Sequence, residues 1–215
     1  MYYPPMRAQE KDPPGKMRME GSAQTLLQVD IATLQLGVLT VGDELTQVRL
    51  ENSEQTGQVI QSLLNLGIEE ANIQTAAYHI HPVYDFVDNI QVFRGYEVTH
   101  MLSVKVVDIE QVGSAVDIAV QHGANQISGI QFGVSEPMAY YRQLLNEAMD
   151  NASTKARALA QSMNLQLNPI PVKINEVPDG GSMLGEYMTT GVYNTSIRPG
   201  QLELTARVVV EFIYY

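Results

Sequence analysis

The stretch IATLQLGVLTVGDELTQVRLENSEQTGQVIQSLLNLGI, residues 31–68, decides the fold class. Its opening alternates Ile31, Thr33, Gln35, Gly37, Leu39 and Val41 against Ala32, Leu34, Leu36, Val38 and Thr40. A period of two is that of a strand, and two mostly apolar or small rows predict a strand covered on both sides. Past Gly42 the period changes. Leu45, Val48, Val59, Ile60, Leu63 and Leu64 make one helical stripe that runs to about Leu66. Asp43 is expected to cap it. Gly67 suits the left-handed position after the last turn, with Ile68 as the accompanying hydrophobic contact.

Upstream, Met17–Leu27 reads as a further strand, joined through a bend at Val29-Asp30. Downstream, Ile73–Tyr84 and Ile90–Val107 read as strands of an antiparallel hairpin around a polar turn at Asp85–Asn89. Tyr96, Val98, His100, Leu102, Val104 and Val106 share one face of the second. Asp108 is expected to cap a second helix with Ile109, Val112, Val116, Ala119 and Val120 inward, ending at His122-Gly123. Ile127–Ser135 is the next strand. The resulting β-α-β-β-α-β order predicts an α+β, ferredoxin-like sheet core with right-handed crossovers.

Ser135 is expected to cap a long third helix, with Pro137 tolerated in its first turn, running to about Asn164. At 1.5 Å per residue it would span about 42 Å. Its stripe of Leu144, Leu145, Ala148, Ala152, Ala156, Leu159, Ala160 and Met163 is rich in alanine, so a helix or sheet can approach closely. So long a helix predicts that its far end reaches a neighbouring subunit. Pro171–Val177 is a short strand. Residues 179–200 form a long loop with five glycines and the apolar residues Met183, Leu184, Tyr187, Met188, Val192 and Tyr193. Gln201–Tyr215 closes the chain as a strand with Leu202, Leu204, Ala206, Val208, Val210 and Phe212 on one face, expected as an edge open to further pairing. Residues 1–16, with Pro4-Pro5 and Pro13-Pro14-Gly15, read as a flexible tail, and residues 17–215 as a single domain.

Composition narrows the function classes. The chain of 215 residues is 45% hydrophobic and 17% charged, as a globular protein is. Its net charge is −11, and residues 1–20 are slightly basic, so the acidity lies in the body. Such a surface repels phosphate backbones and anionic lipid headgroups, which argues against nucleic acid as a partner. With no cysteine, disulfides, thiolate nucleophiles and Cys-ligated metals are excluded. The N-terminus does not read as a signal peptide, and no run approaches the ~20 apolar residues that span a bilayer. No membrane insertion and a cytoplasmic location are therefore expected. A leader removed beforehand would leave the same sequence and a periplasmic or envelope location.

Several short pieces stand in a fixed order: Glu20-Gly21-Ser22-Ala23, Leu66-Gly67-Ile68 with Ile73-Gln74-Thr75, Ile80-His81-Pro82-Val83-Tyr84 and Gly95-Tyr96-Glu97-Val98. Gly123-Ala124-Asn125-Gln126-Ile127, Ile130-Gln131-Phe132, the alanine-rich helix and Pro199-Gly200-Gln201-Leu202 complete the set. Together they resemble the SIMPL domain family, named for a signalling molecule associated with a mouse pelle-like kinase. The chain departs at two turns: Val29-Asp30 where the family has Pro-Asp, and Leu167-Asn168-Pro169 where it has Leu-Gly. The resemblance implies an α+β bacterial protein, ring- or channel-like homo-oligomers and links to stress tolerance or signalling. Many relatives are periplasmic or envelope proteins. The family carries no established catalytic residues.

The constellations that could carry chemistry are few. His79 and His81, at i and i+2 on a strand, leave the same face and could hold zinc or copper if His100 or Glu97 supplied a third ligand. Ordinary packing or surface histidines are the simpler reading. Glu51/Glu54 and Glu69-Glu70 read as solvated acids. Neither a G-x-S-x-G elbow nor a phosphate-binding glycine loop occurs, and Gly180-Gly181 has no accompanying lysine. Tyr140-Tyr141 suits core or interface packing, and Tyr214-Tyr215 an assembly contact. The sequence therefore predicts a non-enzymatic homo-oligomer with no catalytic, cofactor-binding or metal residues and no cofactor. The alternative is a small-molecule or protein-partner binding module built on the 179–200 loop.

Overall fold

The computed structural model describes residues 14–178 and 200–215, so the expected tail up to residue 13 and the loop at 179–199 lie outside the described residues. The chain is α+β. Its strands are β1 (Gly15–Gln28), β2 (Ile31–Gly42), β3 (Ile73–Val87), β4 (Ile90–Val106), β5 (Gln126–Gly133), β6 (Lys173–Val177) and β7 (Gln201–Tyr214). Its helices are α1 (Leu45–Asn65), α2 (Val112–Gln121) and α3 (Pro137–Ser162). These elements divide into two compact units. One is drawn from residues 14–26, 136–178 and 203–215, the other from 27–135 and 200–202.

The second unit holds a four-stranded sheet in the order β3-β4-β2-β5, with every neighbouring pair antiparallel. One face of β2 is fully buried through Ala32, Leu34, Leu36 and Val38, packed with Leu102, Val104 and Val106 of β4 and Phe132 of β5. Val59 and Leu63 of α1 and Val112, Ala115, Val116 and Ala119 of α2 close this core. The other row of β2 is only half-covered and Val41 is exposed, so the expectation of burial on both sides holds for one side alone.

Helix ends follow local chemistry in some places and distant partners in others. Gly67 (φ +98°) and Gly123 (φ +109°) take the left-handed positions after α1 and α2. After α1, Ile68 N–H donates to Leu63 C=O and Gly67 N–H to Leu64 C=O, which satisfies two orphan carbonyls. Asp108 accepts from Glu110 N–H and caps a 3₁₀ turn over Ile109–Gln111 that leads into α2. Val120, expected inward, is exposed. Asp43 does not cap α1, whose N-cap is Glu44 without a side-chain bond. Ser135 does not cap α3 either. Its N–H and Oγ both donate to the Asp30 carboxylate, at 2.7 and 2.6 Å, tying the bend before β2 to the end of β5.

In the first unit α3 lies on a three-stranded sheet of order β1-β7-β6. Ala148, Ala152, Ala156 and Ala160 are buried against Met17, Val208, Val210 and Phe212. The alanine stripe is thus covered by the chain's own sheet, while Leu159 and Met163, expected on it, are exposed. β7 is the central strand, which corrects its reading as an open edge: its neighbours on both sides take its main-chain groups. β6 pairs with it antiparallel from Lys173↔Glu211 to Val177↔Arg207. β1 begins at Gly15, two residues before its expected start, where the Tyr214 ring covers the glycine.

Candidate functional site

Beyond Tyr96, which pairs with Gly42, β4 has no further β2 residue beside it. From Tyr84↔Phe93 to Val87↔Ile90, β3 and β4 pair with each other alone among the described residues. Asp88 (φ +50°) and Asn89 (φ +63°) close this arm in a two-residue turn whose left-handed residues match the twist of the strands. β3 therefore continues through Asp85–Val87, into the expected polar turn at Asp85–Asn89, because only Asp88 and Asn89 are needed to reverse the chain. A bulge sits at the base, where the register shifts between Val83 and Tyr84 and Gly95 takes φ +131°. A Cβ at Gly95 would overlap the Gly42 carbonyl oxygen, so the close approach at the arm's base requires glycine.

The arm carries an apolar load with little under it. Tyr84, Phe86, Val87, Ile90 and Phe93 are all exposed, Phe86 at 75% and Ile90 at 66%. Tyr84, Phe93 and Tyr96 form an edge-to-face aromatic ladder with centroids 5.6 and 5.2 Å apart. Arg94 Nε donates to Asp85 Oδ2 at 2.9 Å, an exposed pair that adds register more than stability. A two-stranded hairpin is marginal by itself in water, and clustered exposed aromatics mark contact surfaces.

The histidines do not converge. His79 and His81 stack at 5.8 Å on one face of β3, opposite Thr99 and Glu97. His100 is opposite Tyr78 and so belongs to the other face of the sheet, away from the pair to which it could have supplied a third ligand. Among the described residues no three His, Asp or Glu side chains are placed to hold a metal. Tyr141 is buried and donates from its hydroxyl to Glu176 Oε1 at 2.6 Å, whereas Tyr140 is exposed. Tyr215 exchanges main-chain hydrogen bonds with Gln166, and its ring is exposed.

His100 Nε2 lies 3.0 Å from Thr75 Oγ1, and its ring meets Tyr78 edge-on at 5.2 Å. Burial pushes its pKa below the ordinary histidine value. The unfolded chain therefore takes up this proton first, so stability should be level above pH about 6.5 and fall as pH drops below it. Urea midpoints at pH 7.5 and 5.5 measure this, and His100→Gln, which keeps a partner for Thr75, should make the decline shallower.

These features define an α+β protein of antiparallel sheets whose most prominent described surface is an outlying apolar arm. The chain belongs to the SIMPL family, described as a protein of unknown function (DUF541), whose profile matches residues 17–212. It is 28% identical over 150 residues to the uncharacterized protein YggE of Escherichia coli K12, covering 70% of this chain and 61% of that protein. It is likewise 28% identical over 169 residues to the 26 kDa periplasmic immunogenic protein of Brucella melitensis, covering 76% and 67% of the two. YggE of Edwardsiella ictaluri is 24% identical over 151 residues, covering 70% and 63%. The chain thus spans about three fifths of the YggE proteins it matches. No helix among the described residues is long and apolar enough to cross a membrane.

Proposed function

We propose that this chain is a non-enzymatic subunit that assembles with copies of itself through the β3–β4 arm. The single observation that carries the reading is the exposure of Tyr84, Phe86, Val87, Ile90 and Phe93 on strands that, among the described residues, pair only with each other. Each such side chain is worth about 1.5–3 kcal/mol when fully buried, so one arm packed against another gains enough to offset ordering. A second copy fits better than an unrelated partner for two reasons. Among the described residues β3 is an edge strand, which leaves its outer main-chain groups to pair across a symmetry axis. The arm carries only Asp85, Asp88 and Arg94, a net of −1, so it can meet its own copy although the chain as a whole carries −11. The same acidity argues against nucleic acid as a partner.

Light scattering coupled to size exclusion tests this. The wild type should elute at a multiple of the chain mass, and the double variant Phe86→Lys, Ile90→Lys should elute as a monomer with unchanged circular dichroism. A wild-type monomer at micromolar concentration overturns the reading. Relatives named as periplasmic favour a periplasmic setting over the cytoplasmic one expected from the N-terminus. The binding-module alternative rests on a loop outside the described residues and gains no support from those described.

A further inference from the structure

The face of the three-stranded sheet turned away from α3 carries a second feature, independent of the arm. Met17, Val208, Val210 and Phe212 face the helix, so alternation sends Lys16, Arg18, Val209 and Glu211 to the opposite face. There Arg18 from β1, Lys173 and Asn175 from β6, and Val209 and Glu211 from the central β7 line a cleft of about 110 Å³. Lys173 lies directly opposite Glu211, and Asn175 opposite Val209. Lys16 Nζ binds Glu211 Oε1 at 2.7 Å.

The charge arithmetic of this cleft is opposite to that of the chain. The protein has 13 basic residues against 24 acidic ones, yet three cations gather here around one carboxylate. The Lys16 hydrogen bond and the charges of Lys16, Lys173 and Arg18 hold Glu211 below the usual carboxylate range. Lys16 is engaged by Glu211, whereas the Arg18 and Lys173 side chains make neither a hydrogen bond nor an ion pair among the described residues. Edge strands often carry lysine to discourage stray pairing, but that role does not require cations from two edges to flank one cleft over the central strand.

We propose that this cleft binds a small dianionic oxyanion of the phosphate class. The Arg18 guanidinium offers a planar fork of donors, the Lys173 ammonium a point charge and the Asn175 amide a neutral donor, all on strands rather than loops. Val209 supplies an apolar floor. Glu211 occupies Lys16 and repels an incoming anion, so it sets the affinity low and tunable.

Titration of the full-length chain with inorganic phosphate at low ionic strength, followed by amide chemical shifts, tests the site. Saturable shifts are expected at Arg18, Lys173 and Asn175. Arg18→Gln and Lys173→Gln should each weaken binding about tenfold, the loss of one charge-assisted hydrogen bond. Glu211→Gln should tighten it, since that change removes the competing carboxylate and frees Lys16. Acetate, with one charge, should bind more weakly than phosphate. The proposal is overturned if millimolar phosphate shifts none of these amides, if Arg18→Gln binds as the wild type does, if Glu211→Gln does not tighten binding, or if acetate matches phosphate. Each comparison is made at equal circular dichroism, and none depends on the oligomeric state.

Discussion

Asn52→Asp should strip the four-stranded unit of a large share of its stability at neutral pH. Asn52 is fully buried on the sheet-facing side of α1, and its Nδ2 donates to the carbonyls of both Val38 and Val98 at 3.0 Å. One amide thus bridges neighbouring strands β2 and β4 from the helix above them. Aspartate has the same shape, so packing is unchanged. It replaces the double donor with an acceptor facing two acceptors, in a fully buried place. Among the described residues the buried Oδ1 of Asn52 has no partner, and the Thr56 hydroxyl one turn on has none either, so no donor is already aimed at a carboxylate. The expected loss is about 3–5 kcal/mol, a large share of the stability of an ordinary domain. Its pH dependence has a definite sign. Burial beside two carbonyls raises the folded pKa of the introduced carboxyl above its unfolded value, near 3.9. The variant is therefore least penalised below that value and loses stability as pH rises through the folded pKa. Chemical denaturation at pH 4 and pH 7 checks this, and a variant as stable as the wild type at pH 7 would remove Asn52 from its bridging role.

Gly21→Val should be comparably damaging in the other unit. Gly21 lies on β1 where that strand crosses α3. A Cβ there would overlap the Ala148 carbonyl oxygen and stand 2.8 Å from both the Ala152 Cβ and its amide nitrogen. The obstacle is helix backbone, which cannot swing aside as a side chain can, so α3 must lift from the sheet. Lifting it opens the layer in which Ala148, Ala152, Ala156 and Ala160 meet Val208, Val210 and Phe212. Overpacking by a methylene costs about 1–3 kcal/mol, and displacing a helix against a fitted sheet belongs at or above the top of that range. Urea unfolding gives the magnitude, and hydrogen exchange should show α3 and β7 amides losing protection first. Ala152→Gly should rescue little, because it leaves the Ala148 carbonyl in place.

Both residues show how much of the molecule could be read in advance. The helical stripe named from sequence jumps from Val48 to Val59, and the positions in the gap at the same spacing are Asn52 and Thr56. A polar residue on a buried stripe was therefore visible, but its partners were not, since they lie on two strands that meet only in the folded sheet. Gly21 was legible as part of a motif, while the reason for it, a helix more than a hundred residues further on, was not. The hairpin and its two strands were legible, but Phe86 and Val87 fell in what read as a polar turn, so the apolar load of the arm was not. That the arm outruns β2 depends on where the β2–β4 pairing stops. The cationic cleft was invisible because Lys16, Arg18, Lys173 and Glu211 belong to three segments with no local relation.

Near-neighbour relations in the chain dictated the period-two and period-3.6 runs, the left-handed glycines at 67 and 123, and the acidic, cysteine-free character of the protein. These follow from local sterics and composition, which act wherever the segment finds itself. Folding in three dimensions was needed to place β7 centrally between β1 and β6 and to give Ser135 to Asp30 instead of a helix end. It also turned His100 away from His79 and His81, and covered the alanine stripe within the chain. Each of those outcomes is a competition among distant groups for one partner. It is settled by long-range pairing and burial, which leave no periodic mark on the sequence.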